Sequence, residues 1–120
     1  MKRFILIILQ LLTFVTFSQN WGKNTESAFV NEAMDIEVDA SGNSYICGYM
    51  TGETAFDVTV VEPQALGNGD IYVAKYNSSG QLTWVRRYGG SFSDRAYDLA
   101  IDSDQNIYIT GQYYGTVNFG

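Results

Sequence analysis

The chain has 120 residues, which fits one small domain, and its 7 basic and 13 acidic side chains give a net charge of −6. It has no histidine and one cysteine, Cys47, so a Ser-His-Asp triad, a Cys-His pair, a histidine-rich zinc site and an internal disulfide are all excluded within this sequence. The acidic balance argues against binding nucleic acid or anionic lipid, because both need clustered Lys and Arg.

Residues 1–18 have the layout of a secretory signal peptide. Lys2 and Arg3 precede an apolar run from Phe4 to Phe17, and small residues flank Phe17 just before Gln19. The run is shorter than the ~20 residues of a spanning helix, which makes a membrane anchor the weaker alternative. Cleavage after Ser18 leaves 102 residues with five basic and all 13 acidic side chains, a net charge of −8 that favours solubility. We therefore expect a secreted, periplasmic or cell-surface protein with no membrane insertion after cleavage.

Short segments between turn signals predict strands along the rest of the chain. They cover residues 35–39, 44–49, 70–76, 81–88, 98–102 and 106–112, with a long connection over 51–69. We expect Ile36 and Val38 on one face of their strand, and Leu82, Trp84 and Tyr88 together on one face of theirs. No segment after residue 18 has a convincing helical period.

Turn residues separate these strands. Asp39 and Asp102 are placed to form Asx turns, and Gly42 and Gly80 suit the left-handed position of a bulged hairpin turn. Gln105 has the position in the turn after Asp102 that Gly42 has in the turn after Asp39. Because Gln is a poorer left-handed residue than Gly, we expect this second turn to be looser or of another type.

An internal repeat of 63 residues underlies the pattern. Residues 21–57 align on 84–120 without a gap, and 11 of the 37 pairs are identical. The identical pairs are mainly glycines, turn residues and aromatics: Trp21/Trp84, Phe29/Phe92, Ala33/Ala96, Asp35/Asp98, Asp39/Asp102, Asn43/Asn106, Tyr45/Tyr108, Ile46/Ile109, Gly48/Gly111, Gly52/Gly115 and Phe56/Phe119. Four short strands in a repeated unit predict an all-β fold of antiparallel four-stranded β-propeller blades, with about one and a half repeat units in residues 19–120.

The residues also resemble a known family. The run Asp70-Ile-Tyr-Val-Ala-Lys-Tyr-Asn-Ser-Ser-Gly-Gln-Leu-Thr-Trp84, followed by Gly89-Gly90, Asp94, Ala96, Asp98–Asp102 and Asn106–Gly111, is similar to the bacterial β-propeller repeat called SBBP. The resemblance covers nearly all of 21–120 and implies an exported or cell-surface protein with no defined catalytic residue. The first copy departs from the pattern at residues 24–27, which replace the Gly-Gly turn.

Fewer than two units cannot close a ring of at least four blades. Trp21 matches Trp84, so the mature chain would begin on the last strand of a preceding unit. We expect a truncated product or gene fragment, to be completed by further repeats. Assembly of several chains into a ring and an open sheet structure are the alternatives. Exposed edges and faces would favour aggregation of the isolated chain.

The acidic residues are weak candidates for catalysis. Asp35, Asp39, Asp98 and Asp102 recur at equivalent positions, and a residue repeated in every unit usually supports the unit. Asp102, Asp104 and Asn106 have the spacing of a calcium-loop start, but the later acidic ligand and the central Gly are absent. We interpret this segment as a turn and predict no metal, cofactor or catalytic residue.

Three other features also have a structural interpretation. Cys47 matches Thr110 and is interpreted as a replaceable strand residue. Asn77-Ser78-Ser79 is a formal glycosylation sequon in a predicted turn. Tyr113 and Tyr114 could stack on a sugar, although packing within a blade is the preferred interpretation.

These observations lead to one functional expectation and one alternative. The chain is expected to be an exported, non-catalytic propeller module that serves as a scaffold or as a binding surface for a protein or glycan. The alternative is the N-terminal part of an extracellular propeller enzyme that acts on polysaccharide.

Overall fold

Eight β-strands make up the part of the chain that the structure describes. In this computed structural model that part is residues 30–52, 54–57, 60–61, 67–117 and 119. The strands are β1 Asn31–Val38, β2 Ser44–Met50, β3 Ala55–Asp57, β4 Val60–Val61, β5 Asp70–Tyr76, β6 Leu82–Tyr88, β7 Arg95–Ile101 and β8 Ile107–Gln112. No helix occurs in these ranges. The predicted signal peptide and Trp21 lie outside them.

The first repeat unit forms a single sheet of four antiparallel strands in the order β1-β2-β5-β6. This is the arrangement of a propeller blade. The second unit contributes the two-stranded antiparallel sheet β7–β8, which repeats β1–β2 down to its bulge: pairing shifts between Ala33 and Asp35 in one copy and between Ala96 and Asp98 in the other. The expected all-β fold of antiparallel sheets, with one four-stranded blade, is confirmed.

A glycine in each copy permits this bulge. A Cβ added to Gly48 would lie 1.9 Å from the Glu32 carbonyl oxygen, and one added to Gly111 would lie 2.1 Å from the Arg95 carbonyl oxygen. No side chain fits at such distances, so the identity of the Gly48/Gly111 pair follows from the close approach of two strands.

The two sheets pack face to face. Ala96 and Leu99 of β7 are buried in a cluster with four residues of the first sheet, Tyr45, Cys47, Ile71 and Val73. A hydrogen bond also joins the sheets: the Leu99 backbone N–H donates to Asp35 Oδ2 at 2.8 Å. The second sheet thus covers one face of the first.

The opposite face of the first sheet is covered from within its own unit. The connection after β2, expected from the sequence only as a long loop, contains the short hairpin β3–β4. Phe56 of this hairpin is buried against Tyr72, with ring centroids 4.9 Å apart, and its carbonyl accepts a hydrogen bond from the Tyr76 hydroxyl. The resulting second core cluster is Met50, Phe56, Tyr72, Ala74, Tyr76 and Val85.

The expected shared face of Leu82, Trp84 and Tyr88 is wrong. Trp84 and Tyr88 pack against the cluster between the sheets, whereas Leu82 packs against the second cluster on the opposite side. An irregularity in the pairing of β5 with β6 lies between Lys75 and Tyr76 and shifts the alternation at this point.

The expectation of a different turn at Gln105 is also wrong. Its N–H donates to the Asp102 carbonyl at 3.0 Å, just as the Gly42 N–H donates to the Asp39 carbonyl at 2.9 Å. Gln105 adopts a φ of 66°, close to the 79° of Gly42. The hydrogen bonds of Asp102 therefore hold the backbone of Gln105 in a left-handed conformation that L-residues disfavour.

Candidate functional site

The repeated aspartates are engaged in the fold. Asp39 Oδ1 accepts hydrogen bonds from the Ser41 and Asn43 backbone N–H groups, and its Oδ2 accepts from the Asn43 side chain at 2.7 Å and the Tyr45 hydroxyl at 3.2 Å. Asp102 repeats the same four bonds. The predicted Asx turns are confirmed. The hydrogen bond from the Asn43 side chain is the main cause of a lowered Asp39 pKa, and Asn106 lowers the pKa of Asp102 in the same way.

Two further acids, both fully buried, tie elements together. Asp94 accepts hydrogen bonds from the Gly90 and Tyr114 backbone N–H groups at 3.0 and 2.9 Å. Asp70 forms an ion pair with Arg87, with 2.7 Å between Oδ2 and Nη1. These contacts assign the two carboxylates to structure.

The segment expected to be a turn rather than a calcium loop is a turn. The Asp102 carboxylate accepts hydrogen bonds from the backbone N–H groups of Asp104 and Asn106. Hydrogen-bond donors, which do not bind a cation, therefore surround this carboxylate. In the described ranges no group of three or more Cys, Asp and Glu side chains is arranged to hold a metal ion.

Cys47 lies in the core between the two sheets with none of its surface exposed. Burial, and after it the charge of nearby Asp35, raises the pKa of its thiol to about 11. A thiol in this state is a poor nucleophile, which agrees with its interpretation as a strand residue.

The sequon residue Asn77 has its side chain inside the β5–β6 turn. Its Oδ1 accepts from the Ser79 and Gln81 backbone N–H groups, and its Nδ2 donates to Gln81 Oε1 at 2.9 Å. The amide nitrogen that a glycan would need is therefore part of the turn.

The two adjacent tyrosines point to different grooves. Tyr113 lies edge-on to Phe119, with 6.3 Å between centroids, and lines a cavity of about 410 Å³ with Ile71, Tyr88 and Ile107. Tyr114 lines an open groove of about 430 Å³ together with Phe92, Asn68, Ser93 and Gly115. The structure thus separates the predicted Tyr113–Tyr114 pair.

Phe92 is the site residue that the sequence did not reveal. It is 55% exposed, as is Tyr114, and both rings face the same groove. The signal available was the Phe29/Phe92 pair, but a repeated aromatic reads as a packing residue until its exposure is known. Nowhere in the described part of the chain is there a helix with the length and hydropathy needed to cross a bilayer.

Comparisons with known proteins agree with this architecture. A protein of Acanthamoeba polyphaga mimivirus, described as an uncharacterized WD repeat-containing protein, is 23% identical to this chain over 109 residues. The match covers 78% of this chain and 8% of that protein, so the chain spans a small part of this relative's length. No solved structure matches the chain significantly.

Residues 83–112 match the family model described as a β-propeller repeat, SBBP. The matched segment contains nearly all of β6 together with β7 and β8, the strands on which the two repeat units meet. The resemblance to the SBBP β-propeller repeat is therefore confirmed over residues 83–112.

Proposed function

We propose that this chain is an exported, non-catalytic propeller repeat module that acts as a scaffold and presents a binding surface for a protein or glycan. The proposal rests on the observation that some side chains stabilise the fold while others remain exposed. The repeated aspartates hold turns and join sheets, while Phe92 and Tyr114 leave aromatic surface free at one groove. No observation in the described ranges favours the alternative of a polysaccharide-acting enzyme.

The groove has the composition of a recognition surface. Two aromatic rings supply apolar area, and Asn68 and Ser93 supply polar groups beside them. Ligand sites are commonly apolar with a few polar groups that fix orientation. Sugar rings, which have one apolar and one polar aspect, fit such a surface, as does an aromatic side chain of a partner protein.

A glycan array tests this binding role. We expect the wild-type chain to bind a restricted set of glycans, and we expect Phe92→Ala and Tyr114→Ala each to weaken that binding at least several-fold. Tyr97→Ala, which removes a 44% exposed aromatic outside the groove, is the matched control. Equal binding by all four proteins would contradict the groove as the site. Absence of glycan binding would leave a protein partner as the ligand class, to be sought with the same variants.

Export is tested separately. Expression of the full chain in a bacterial host, followed by fractionation and N-terminal sequencing, is expected to give an extracytoplasmic product that starts at Gln19. Leu9→Arg places a charge in the apolar run of residues 4–17 and should retain the chain in the cytoplasm. An unprocessed cytoplasmic wild-type product would contradict the proposal.

We also propose that the chain is part of a larger protein with further repeats. The sheet of the second unit has two described strands where that of the first has four, and repeat units bury their faces against neighbours. Sequencing of the coding region is the test: a stop codon directly after Gly120 with no following repeat would contradict it.

A further inference from the structure

The contact between the two sheets shows how this chain covers a blade face. We call β7 the inserting strand, because its Leu99 is 2% exposed and Ile101 packs beside it against the first sheet. We call the side of β1–β2 that carries Tyr45 and Cys47 the receiving face. Together they define a contact between consecutive units that can be compared with the surfaces left free.

The residues that β2 and β7 contribute to this contact have exposed repeat counterparts, whereas Ile71 and Val73 of β5 lie outside the two aligned repeat segments. Ile36 and Val38 of β1 match Leu99 and Ile101 of the inserting strand, yet they are 55% and 58% exposed. Tyr108 and Thr110 of β8 match Tyr45 and Cys47 of the receiving face, and both are exposed. The described part of the chain therefore has a second inserting strand at one end and a second receiving face at the other.

The polar contacts have matching counterparts as well. Asp35 accepts a hydrogen bond from the Leu99 N–H, and the repeat places Asp98 and the Ile36 N–H in the corresponding positions. The equal register of the two hairpins, with Ile36 opposite Ile46 and Leu99 opposite Ile109, supports this correspondence.

The ion pair across this contact would also form between two copies, with the positive and negative residues on exchanged sides. Glu32 on the receiving side lies 3.6 Å from Arg95 on the inserting side. Because Glu32 and Arg95 are themselves repeat counterparts, a contact of the same geometry between two chains would place Arg95 of one beside Glu32 of the other. A repeat with like charges at these positions would have opposed the contact.

From these correspondences we propose that, for the chain of residues 19–120 without further repeats, a second copy docks its β1 on the exposed face of β7–β8, head to tail, and so reproduces the contact between the two units. Ile36 and Val38 of one copy occupy the receiving face at Tyr108 and Thr110 of the other. The interface is heterologous, since different surfaces of the two copies meet, and it leaves one inserting strand and one receiving face free for further copies.

Sedimentation velocity of the exported chain over a wide concentration range tests this association. The wild-type chain is expected to form dimers and larger species as concentration rises. Ile36→Asp disables the inserting strand, and Thr110→Glu disables the receiving face; each variant alone is expected to remain monomeric. Thr83→Glu is the matched control, because it makes the same exchange at an exposed threonine of β6, which belongs to neither surface, and it should associate like the wild type.

Mixing the two variants gives the decisive result. The Ile36→Asp chain keeps an intact receiving face and the Thr110→Glu chain keeps an intact inserting strand, so the mixture should form a 1:1 dimer and nothing larger. The two new side chains are both acidic and cannot rescue each other. Val38→Ser, which removes apolar surface without adding charge, should weaken association and serves if Ile36→Asp does not fold.

Three results would overturn the proposal. A wild-type chain that stays monomeric at every concentration would do so, and would imply that another segment of the same chain covers β1. Association of both variants at wild-type strength would point to pairing at strand edges instead. A variant mixture that stays monomeric would show that the two surfaces do not meet.

Discussion

In the second hairpin turn, Gln105 has the left-handed backbone conformation that Gly42 adopts in the first hairpin turn. A left-handed backbone costs an L-residue about 1–2 kcal/mol. Replacing that residue by glycine removes this cost, but part of the gain in stability is lost because glycine has more conformational freedom in the unfolded state. We expect Gln105→Gly to raise the free energy of unfolding by about 0.5–1 kcal/mol, measured by urea denaturation. Gly42→Gln makes the reverse exchange in the matching turn and should destabilise. Equal effects of the two changes would contradict strain at residue 105.

Asp39 should make the first turn sensitive to acid. Its pKa is lowered in the folded state, chiefly by the Asn43 side chain, so the carboxylate stabilises the fold fully above its ordinary pKa of 3.8. That stabilisation is lost as pH falls through the folded-state pKa. We therefore expect Asp39→Ala to lower the urea midpoint clearly near neutral pH and much less in strong acid. Asp104→Ala, at an exposed position of the matching turn, is the control. A midpoint difference that does not change with pH would contradict this role.

Between strands, the ion pair of Asp70 on β5 with Arg87 on β6 joins neighbours in the first sheet. Asp70 is fully buried and the Arg87 side chain is 21% exposed, so solvent screens the pair only partly. Arg87→Met removes the cation opposite a buried carboxylate and is expected to cost about 3 kcal/mol of unfolding free energy.

The neighbouring arginine supplies the control for this ion pair. Arg86 is exposed and lies over the Trp84 ring at 5.9 Å, so Arg86→Met should cost less than about 1 kcal/mol. Chemical denaturation of the two variants compares them directly. Similar losses for both would show that the Asp70–Arg87 pair is not the main contact between these strands.

At the level of elements, sequence patterns predicted strands where turn residues bound them. The predicted segment 70–76 coincides with β5, and 44–49 is one residue shorter than β2. The hairpin β3–β4 was missed because its strands have only three and two residues and depend on Phe56 packing against Tyr72. Leu82 was misplaced because an irregularity in pairing leaves no mark in the alternation of apolar residues.

The candidate groove shows the same limit. The sequence indicated Tyr114 only as a possible stacking residue, with packing within a blade as the preferred interpretation, and it gave no sign of the neighbour in the groove. Phe92 and Tyr114 are 22 positions apart and meet at Gly115, where an added Cβ would lie 2.8 Å from the Phe92 ring. Turns can be predicted from neighbouring residues in a sequence, whereas a surface formed by distant residues depends on how the sheets pack.

At the scale of the whole molecule, the stability of the second sheet should depend on its contact with the first. A two-stranded hairpin is marginal by itself, and β7–β8 is held through buried Ala96 and Leu99. Leu99→Ala is therefore expected to cost about 3 kcal/mol, and amide hydrogen exchange should rise first in β7 and β8. Asp35→Ala, which removes the acceptor of the Leu99 N–H, should shift exchange in the same strands.

Ile36 provides a matched control for Leu99, because the repeat gives the two residues the same position in their units. Leu99 is 2% exposed and Ile36 is 55% exposed. In dilute solution, where the chain is monomeric, Ile36→Ala should change stability by less than about 0.5 kcal/mol. At high concentration the docking of a second copy would bury Ile36, so the same substitution should then lower the melting temperature relative to the wild type. An effect of Ile36→Ala that is large and independent of concentration would instead mean that β1 is already covered within one chain.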